Sequence, residues 1–358
     1  MYPVMTKASR CNGVLFILML SAMFLYSVPS LLRFTDTQQL AWDKFSEGEL
    51  LREFEQFYDK QLFYRDAAIR HWANLQFHLF GEGARGVVFG RDGWLFTGQE
   101  FLIPNNLDAN IERQLARIVA AKTALAARGK TLVILPVPMK VDIYRGHAQR
   151  APSAVQLGLY DDFVARLREL QLTVVPVRQA FLDSAATELL YVPNDSHWTP
   201  AGARLAAAEL GKALQSQRGS DNFVTQEQSR EQFQGDLVNF LKFDPSLAPE
   251  YFRPWLRPVF ETVRQSDADA DLFADVSHRV ALLGTSYTAM EAWNFAGFLQ
   301  QQLAQELLTQ AYEGAGPFKA MDEFLAGELN NNPELELVVW EFPVRTLLAD
   351  REGQAGTF

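Results

Sequence analysis

Asp195 stands two residues before His197 in the segment Asn194-Asp195-Ser196-His197-Trp198-Thr199-Pro200. Far downstream, the run Val280-Ala281-Leu282-Leu283-Gly284 leads into Thr285-Ser286-Tyr287-Thr288. These residue types fit nucleophilic acyl transfer, which needs a hydroxyl to attack, an imidazole to take its proton and a carboxylate to fix the imidazole's tautomer. The second segment offers a place for the hydroxyl. An apolar run ends in Gly-Thr-Ser and turns helical, as when a strand-to-helix turn presents a serine at the carboxyl edge of a sheet. The reading is therefore Ser286 as nucleophile, His197 as base and Asp195 as its orienting carboxylate. Each residue also has a plainer explanation. Asp195 can cap the helix that starts near Pro200 while His197 packs beside Trp198. Gly284-Thr285-Ser286 can be a loop with an N-capping hydroxyl, a job open to Thr285 and Thr288 as well. It is the pairing of the two segments that favours chemistry.

Other side chains are candidates for oxyanion or substrate binding. The stretch Met290-Glu291-Ala292-Trp293-Asn294-Phe295-Ala296-Gly297 is aromatic with one amide. Asn294 could aim its side-chain N–H at a developing oxyanion, beside the backbone amides around Ser286 and Tyr287. Trp293 could stack on a sugar ring, or it could simply pack in the core. Arg91, Lys140, Arg145 and Arg345 lie near expected strand ends or turns, where they could line a groove for a carboxylated sugar polymer; solvated surface charge is the alternative for each. The remaining histidines, His71, His78, His147 and His278, lack the short spacing of a zinc site, so no metal is expected. No P-loop or dinucleotide-binding fingerprint is present, so no cofactor is expected.

These residues need a frame. Ile111, Leu115, Ile118, Val119 and Leu125 mark a helix ended by Gly129. Thr131–Val137 then reads as a buried strand, Tyr160–Leu170 as a helix, Leu172–Val175 as a strand and Pro200–Leu214 as a helix with proline in its first turn. Val280–Leu283 is a third strand, Thr288 to Leu308 one long helix, and Leu335–Trp340 a fourth strand. Alternation of this kind implies βαβ units, an α/β fold with a mostly parallel sheet covered by helices on both faces, and ligands at the carboxyl ends of its strands. Ahead of it, Val87–Phe96 reads as a hairpin about Gly90-Arg91-Asp92-Gly93. From Thr37 to Phe80 the pattern is that of amphipathic helices, with Leu50, Leu51, Phe54, Phe57 and Tyr58 on one stripe and Ile69, Trp72, Leu75, Phe77 and Leu79 on another. The polar stretch 216–275 breaks the rhythm and reads as an inserted subdomain or lid.

The chain has 358 residues, 48% hydrophobic and 21% charged, enough to bury a full core. A formal net charge of −10 argues against nucleic acid as a partner. Lys7 and Arg10 precede an uncharged stretch from Val14 to Leu32, close to the ~20 residues a membrane-spanning helix requires. Positive residues ahead of that stretch favour export of the chain beyond it. An uncleaved anchor is favoured, because no Ala-x-Ala site comes after the apolar core; a cleaved signal peptide is the competing reading. The single cysteine, Cys11, precedes this stretch, so the exported part carries no thiol.

Taken together these segments resemble the AlgJ/AlgX family of bacterial alginate O-acetyltransferases, whose fold is related to the SGNH hydrolases. The similarity spans 86–345. It rests on Val88-Phe89-Gly90-Arg91-Asp92-Gly93-Trp94-Leu95-Phe96, Pro136-Val137-Pro138-Met139-Lys140, Asp195-Ser196-His197-Trp198-Thr199, Gly235-Asp236-Leu237, Gly284-Thr285-Ser286-Tyr287-Thr288 with Trp293-Asn294-Phe295, and Trp340-Glu341-Phe342-Pro343. The family's Asp-x-His pair and Gly-Thr-Ser-Tyr nucleophile match Asp195, His197 and Ser286. Ordinary SGNH hydrolases place the serine early and the Asp-x-x-His late; the reversed order here is consistent with circular permutation.

AlgX-type members add a C-terminal carbohydrate-binding module. The sequence after Trp340 is too short for one, so the expected likeness is to the AlgJ type. The resemblance implies residues 1–35 as membrane anchor, 36–82 as a helical region and 83–358 as an acetyltransferase domain carrying the insertion. It also implies a periplasmic protein held at the inner membrane, which acetylates an exported polysaccharide through an acyl-serine. A membrane-bound O-acyltransferase would present the acetyl group, alongside other polysaccharide acetylation and secretion proteins. A carbohydrate esterase with the same residues, or a noncatalytic scaffold of a secretion complex, are the alternative functions.

Overall fold

The long apolar runs of the sequence form the interior of a parallel sheet. The computed structural model describes residues 7–37, 42–83, 86–265 and 278–349, and the chain divides into two units, Met1–Leu75 and Gln76–Phe358.

The first unit is helical. Within α1 (Lys7–Thr37), the span Cys11–Asp36 has a mean hydropathy of 2.1 and is long and apolar enough to cross a membrane. Phe16, Ile17 and Phe24 are among its exposed large residues. After α2 (Trp42–Ser46), α3 (Glu49–Gln61) runs antiparallel along the C-terminal part of α1. Phe34 meets Phe54 and Phe57 at ring-centroid distances of 5.3 and 5.5 Å, and the Tyr26 hydroxyl donates to the Gln61 carbonyl. Phe54 and Phe57 of the expected apolar stripe thus pack on α1, while Leu51 stays exposed. α4 (Arg65–Phe80) carries the chain into the second unit, where Phe77 stacks on Phe243 with ring centroids 4.3 Å apart.

The second unit opens with the expected hairpin, β1 (Val87–Phe89) and β2 (Leu95–Thr97). Its turn needs Asp92 and Gly93 in the left-handed region, at φ 57° and 79°. α5 (Leu107–Ala126) leads to β3 (Thr131–Val137), then a short α6 (Lys140–Ile143) and α7 (Ala154–Glu169). α7 begins six residues before the expected start because Ser153 and Gln156 form a reciprocal capping box. β4 is only Thr173–Val174, followed by α8 (Arg178–Ser184) and α9 (Pro200–Ala213). α9 starts where Thr199 Oγ1 accepts from Gly202 N–H, with Pro200 in its first turn.

The polar stretch 216–275 is built around an antiparallel ribbon, β5 (Phe223–Phe233) with β6 (Trp255–Arg264). Three 3-10 turns lie between its strands, and 266–275 falls outside the described residues.

β7 (Val280–Gly284) comes next, and here the structure departs from the expected long helix. α10 (Ser286–Ala289) gives way to a 3-10 turn, Glu291–Trp293, and α11 (Phe295–Leu303) ends before a fifth strand, β8 (Leu307–Ala311). Asn294 and Ala304 break the helix by adopting φ 51°. The break lets Trp293 and Phe295 both turn inward, 0% and 1% exposed, and β8 gains a partner in β7. Packing and sheet pairing override local helix propensity. α12 (Phe318–Ala326), α13 (Glu328–Asn331) and β9 (Leu337–Pro343) complete the described α-helices and strands.

All five sheet strands are parallel, in the order β4-β3-β9-β7-β8. Every residue of β7 and β9 is buried, which requires cover on both faces of the sheet.

Two glycines test this packing in opposite directions. A methyl group at Gly202 would overlap the Leu190 carbonyl oxygen, whereas one at Gly158 in α7 meets only Asp162 Oδ2, at 3.6 Å. Gly202→Ala is expected to cost about 1–3 kcal/mol through overpacking. Gly158→Ala is expected to stabilise the chain by about 0.5–1 kcal/mol. Thermal denaturation of both variants against the parent checks the signs.

Candidate active site

Three neighbouring strands deliver the site. β9 lies between β3 and β7, with Ile134 and Leu283 both in register with Trp340. The carboxyl ends of the three strands therefore release Lys140, Ser286 and Arg345 on one edge of the sheet, where such folds hold ligands. Over this edge lies the loop joining α8 to α9. It folds back on itself: Tyr191 bridges Trp198, Val192 N–H donates to the His197 carbonyl and Asp195 N–H to the Val192 carbonyl.

That reversal brings together the three residues expected from the sequence. His197 Nε2 lies 2.7 Å from Ser286 Oγ, and His197 Nδ1 lies 2.7 Å from Asp195 Oδ1. With Nδ1–H donating to Asp195, Nε2 faces the serine as an acceptor. Asp195 is also held by the His197 backbone N–H on Oδ1 and by the Asp236 N–H on Oδ2. Burial would raise the Asp195 carboxyl, but the hydrogen bond and charge of His197 and these N–H groups outweigh it and hold the carboxyl below the usual carboxylate range. Trp293 stacks beside the imidazole, ring centroids 6.0 Å apart, and Tyr287 meets it edge-on at 5.0 Å. In chemical terms the arrangement can deprotonate a hydroxyl and carry the proton on an oriented imidazole.

The loop keeps its shape because of two cations, one buried and one half-buried. Lys140 Nζ donates to the backbone carbonyls of Leu95, Val192, Pro193 and Asp195 at 2.6–2.8 Å. Glu100, itself fully buried, accepts from the N–H groups of Lys140 and Val141 at the start of α6. Burial pulls the Lys140 ammonium down to about 7, against the charges of Glu100, Asp195 and Asp236. Arg345 Nη1 donates to the Ser196 carbonyl at 2.8 Å, and the Tyr287 hydroxyl donates to the same oxygen at 2.9 Å.

The serine turn hangs on Glu341, a buried carboxylate in β9. Its Oε2 accepts from Thr285 N–H at 2.7 Å, and the Thr285 and Thr288 hydroxyls donate to the same carboxylate. Thr285 thus does the capping work open to any of three hydroxyls in this turn, leaving Ser286 Oγ to His197. Burial pushes the Glu341 carboxyl up to about 7, although Thr285 and Thr288 pull the other way.

The remaining expected residues are placed differently. Lys140 is buried rather than groove-lining or solvated, and Arg345 is half-buried; both hold the Asp195–His197 loop through its backbone carbonyls. Trp293 is 0% exposed, so it cannot serve as a sugar platform. The Asn294 side-chain amide donates to Thr262 Oγ1 at 3.0 Å, tying α11 to the ribbon rather than reaching Ser286. Arg91 is exposed in the hairpin turn, where its backbone N–H donates to the His147 carbonyl, and Arg145 is exposed as well. Neither is hydrogen-bonded to the Ser286, His197 or Asp195 side chains.

Three acidic residues were given no role from the sequence: Glu100, Asp236 and Glu341. Glu341 had a signal, a lone carboxylate inside the apolar run Leu337–Phe342. Asp236 also had one: Gly235-Asp236-Leu237 is among the segments that carry the family resemblance. Asp195, His197 and Asp236 place their ligand-type atoms within 4.8 Å of one another. The inward oxygens already accept from N–H and O–H donors, so the group is a hydrogen-bonded clasp.

A parallel α/β sheet with an Asp-x-His loop facing a serine at its carboxyl edge is of the SGNH hydrolase-like class. The chain belongs to the family described as SGNH hydrolase-like domain, acetyltransferase AlgX, which matches residues 87–344. It is 35% identical to a probable alginate O-acetylase, AlgJ, of Pseudomonas aeruginosa, over 90% of this chain and 84% of that protein. The solved O-acetyltransferase domain of Pseudomonas putida AlgJ superposes with a TM-score of 0.68 at 30% identity, covering 76% of this chain and 95% of the other. Pseudomonas aeruginosa AlgX, at 22% identity and a TM-score of 0.57 over 73% of this chain and 66% of that one, shares the fold.

Glu341 gives the site a measurable pH signature. Its folded-state value, about 7, lies above the ordinary 4.5. Between those two values the folded protein keeps a proton that the unfolded chain releases, so stability falls as pH rises. Over pH 4.5 to 7 the parent is expected to lose roughly 3 kcal/mol relative to Glu341→Gln, which cannot titrate. Urea unfolding of both proteins across that range reads the difference directly.

Proposed function

We propose that this chain is an O-acetyltransferase that moves acetyl groups through Ser286 onto hydroxyls of an exported polysaccharide, alginate above all. The observation that carries this reading is the 2.7 Å approach of His197 Nε2 to Ser286 Oγ, with Asp195 on the opposite ring nitrogen. The names of the relatives, alginate O-acetylases, supply the acyl group and the acceptor class.

His197 takes the Ser286 proton as Oγ bonds to the carbonyl carbon of an acetyl ester. The resulting oxyanion is met by the Ser286 backbone N–H, because the Thr285 N–H is held by Glu341 and the Asn294 amide by Thr262. Collapse breaks the bond to the donor's leaving oxygen, which takes the proton from His197, and leaves acetyl-Ser286. A sugar hydroxyl then gives its proton to His197, attacks the acyl carbon and departs acetylated, returning the proton to Ser286. Asp195 stabilises the imidazolium in both half-reactions.

The apolar helix α1 fits a membrane anchor that holds the catalytic unit in the periplasm. A membrane-bound O-acyltransferase presenting the acetyl group would suit that placement, with other polysaccharide-secretion proteins nearby.

The test uses the full chain, an aryl acetate as donor and mannuronate oligomers as acceptor, followed by mass spectrometry. The expected result is an acetylated Ser286 peptide and acetylated oligomers. Ser286→Ala should abolish the acetylated peptide and lower oligomer acetylation by on the order of 10⁴-fold. Free acetate with no acetylated oligomer would turn the assignment to an esterase, and unchanged turnover in Ser286→Ala would turn it to a scaffold.

A further inference from the structure

His197 has a second carboxylate beside it, supplied by the segment between the ribbon strands. Asp236 Oδ2 lies 3.8 Å from His197 Nδ1, the same nitrogen that donates to Asp195. Asp236 is tied to the loop by three hydrogen bonds. Its Oδ1 accepts from the Ser196 N–H and its Oδ2 from the Ser196 hydroxyl, both at 2.7 Å, while its own N–H donates to Asp195 Oδ2 at 2.7 Å. Burial and the neighbouring Asp195 charge push the Asp236 carboxyl above its ordinary value, while His197 and the Ser196 donors on both oxygens favour the ionised form. The position is built for it, since a side chain on Gly235 would overlap Asn194 and push the segment away.

We propose that Asp236 is a positioning residue that acts through His197, raising the basicity of the imidazole with its charge. The proposal deepens the acyl-transfer reading and rests on it for its consequence on rate. The other groups facing the imidazole do not duplicate the role. Asp195 holds the tautomer, and Tyr287 and Trp293 offer rings. Ser286 is the hydrogen-bond partner of Nε2. The two cations, Arg345 on the Ser196 carbonyl and Lys140 on the Asp195 carbonyl, favour the neutral ring. A second anion offsets them. It adds to Asp195 on the imidazole itself, where the ring must hold the proton that it gives to the leaving group.

A partner charge at this distance shifts a titration by roughly one to three units when buried. The Asp236 side chain is 42% exposed, so solvent screening reduces the expected shift to about half to one unit.

The experiment titrates the full chain with ¹³C-labelled histidine by NMR, with the His197 signal assigned by its loss in His197→Gln. Asp236→Asn keeps the shape and can still pair with Ser196; Asp236→Glu keeps the charge. The His197 titration is expected to fall by about half to one unit in Asp236→Asn and to stay near the parent in Asp236→Glu. The acid limb of kcat/KM for aryl acetate cleavage should move down with it. An unmoved His197 titration in a folded Asp236→Asn protein overturns the proposal, whatever happens to the rate. A moved titration with no matching movement of the acid limb leaves Asp236 assigned and removes His197 from the acyl-transfer reading instead.

Discussion

A single buried ammonium sets the shape on which this site depends. Lys140 reaches from the end of β3 into a cage of four backbone carbonyls, three of them from residues 192–195. Carbonyl oxygens converging on one point repel one another unless a cation lies between them. Three such carbonyls in one short loop mean the loop must wrap the charge. Trp94 and Phe96 lie alongside, their rings 5.1 and 5.2 Å from Nζ, and close the cage to water. The wrapped loop then has few ways to continue, and Asp195 and His197 leave it in the geometry observed. The ammonium is a scaffold for the Asp195 carboxylate without touching its side chain.

Burying charge is costly unless every charge is answered. Here the answers form a continuous set. Glu100 caps the turn that carries Lys140, Asp195 sits against His197, Asp236 clasps Ser196, and Arg345 braces the Ser196 carbonyl. Glu341 plays the same part from the other side, holding the turn that presents Ser286. The proposed nucleophile and base therefore hang from two different buried polar groups, one on β9 and one after β3. Since those strands are hydrogen-bonded neighbours, the distance between serine and imidazole is as rigid as the sheet. This is how a site for acyl transfer is preorganised before substrate arrives.

The ribbon has a part in the site that its polar sequence does not announce. Its connecting segment brings Asp236 to the loop, and β6 brings Thr262 to Asn294. An element that reads as an appendage is bonded both to the imidazole loop and to the helix after the serine turn.

Much of this was legible in the residues. Apolar runs of β-branched and leucine residues located β3, β7 and β9, and the Asp-x-His and Gly-Thr-Ser segments singled out the three side chains that meet in the fold, because both signals are local. The break at Asn294 and the strand β8 were not legible: Leu307–Ala311 continues a helical pattern, and only pairing with β7 makes it a strand. The same holds for Lys140 and Arg345, which as isolated basic residues near strand ends read as groove or surface charge. Sequence alone determined which atoms could do the chemistry and that strands would carry them to one edge. Tertiary structure alone decided which charges are buried and what each one faces, since burial and partnership depend on residues distant in the chain meeting in space.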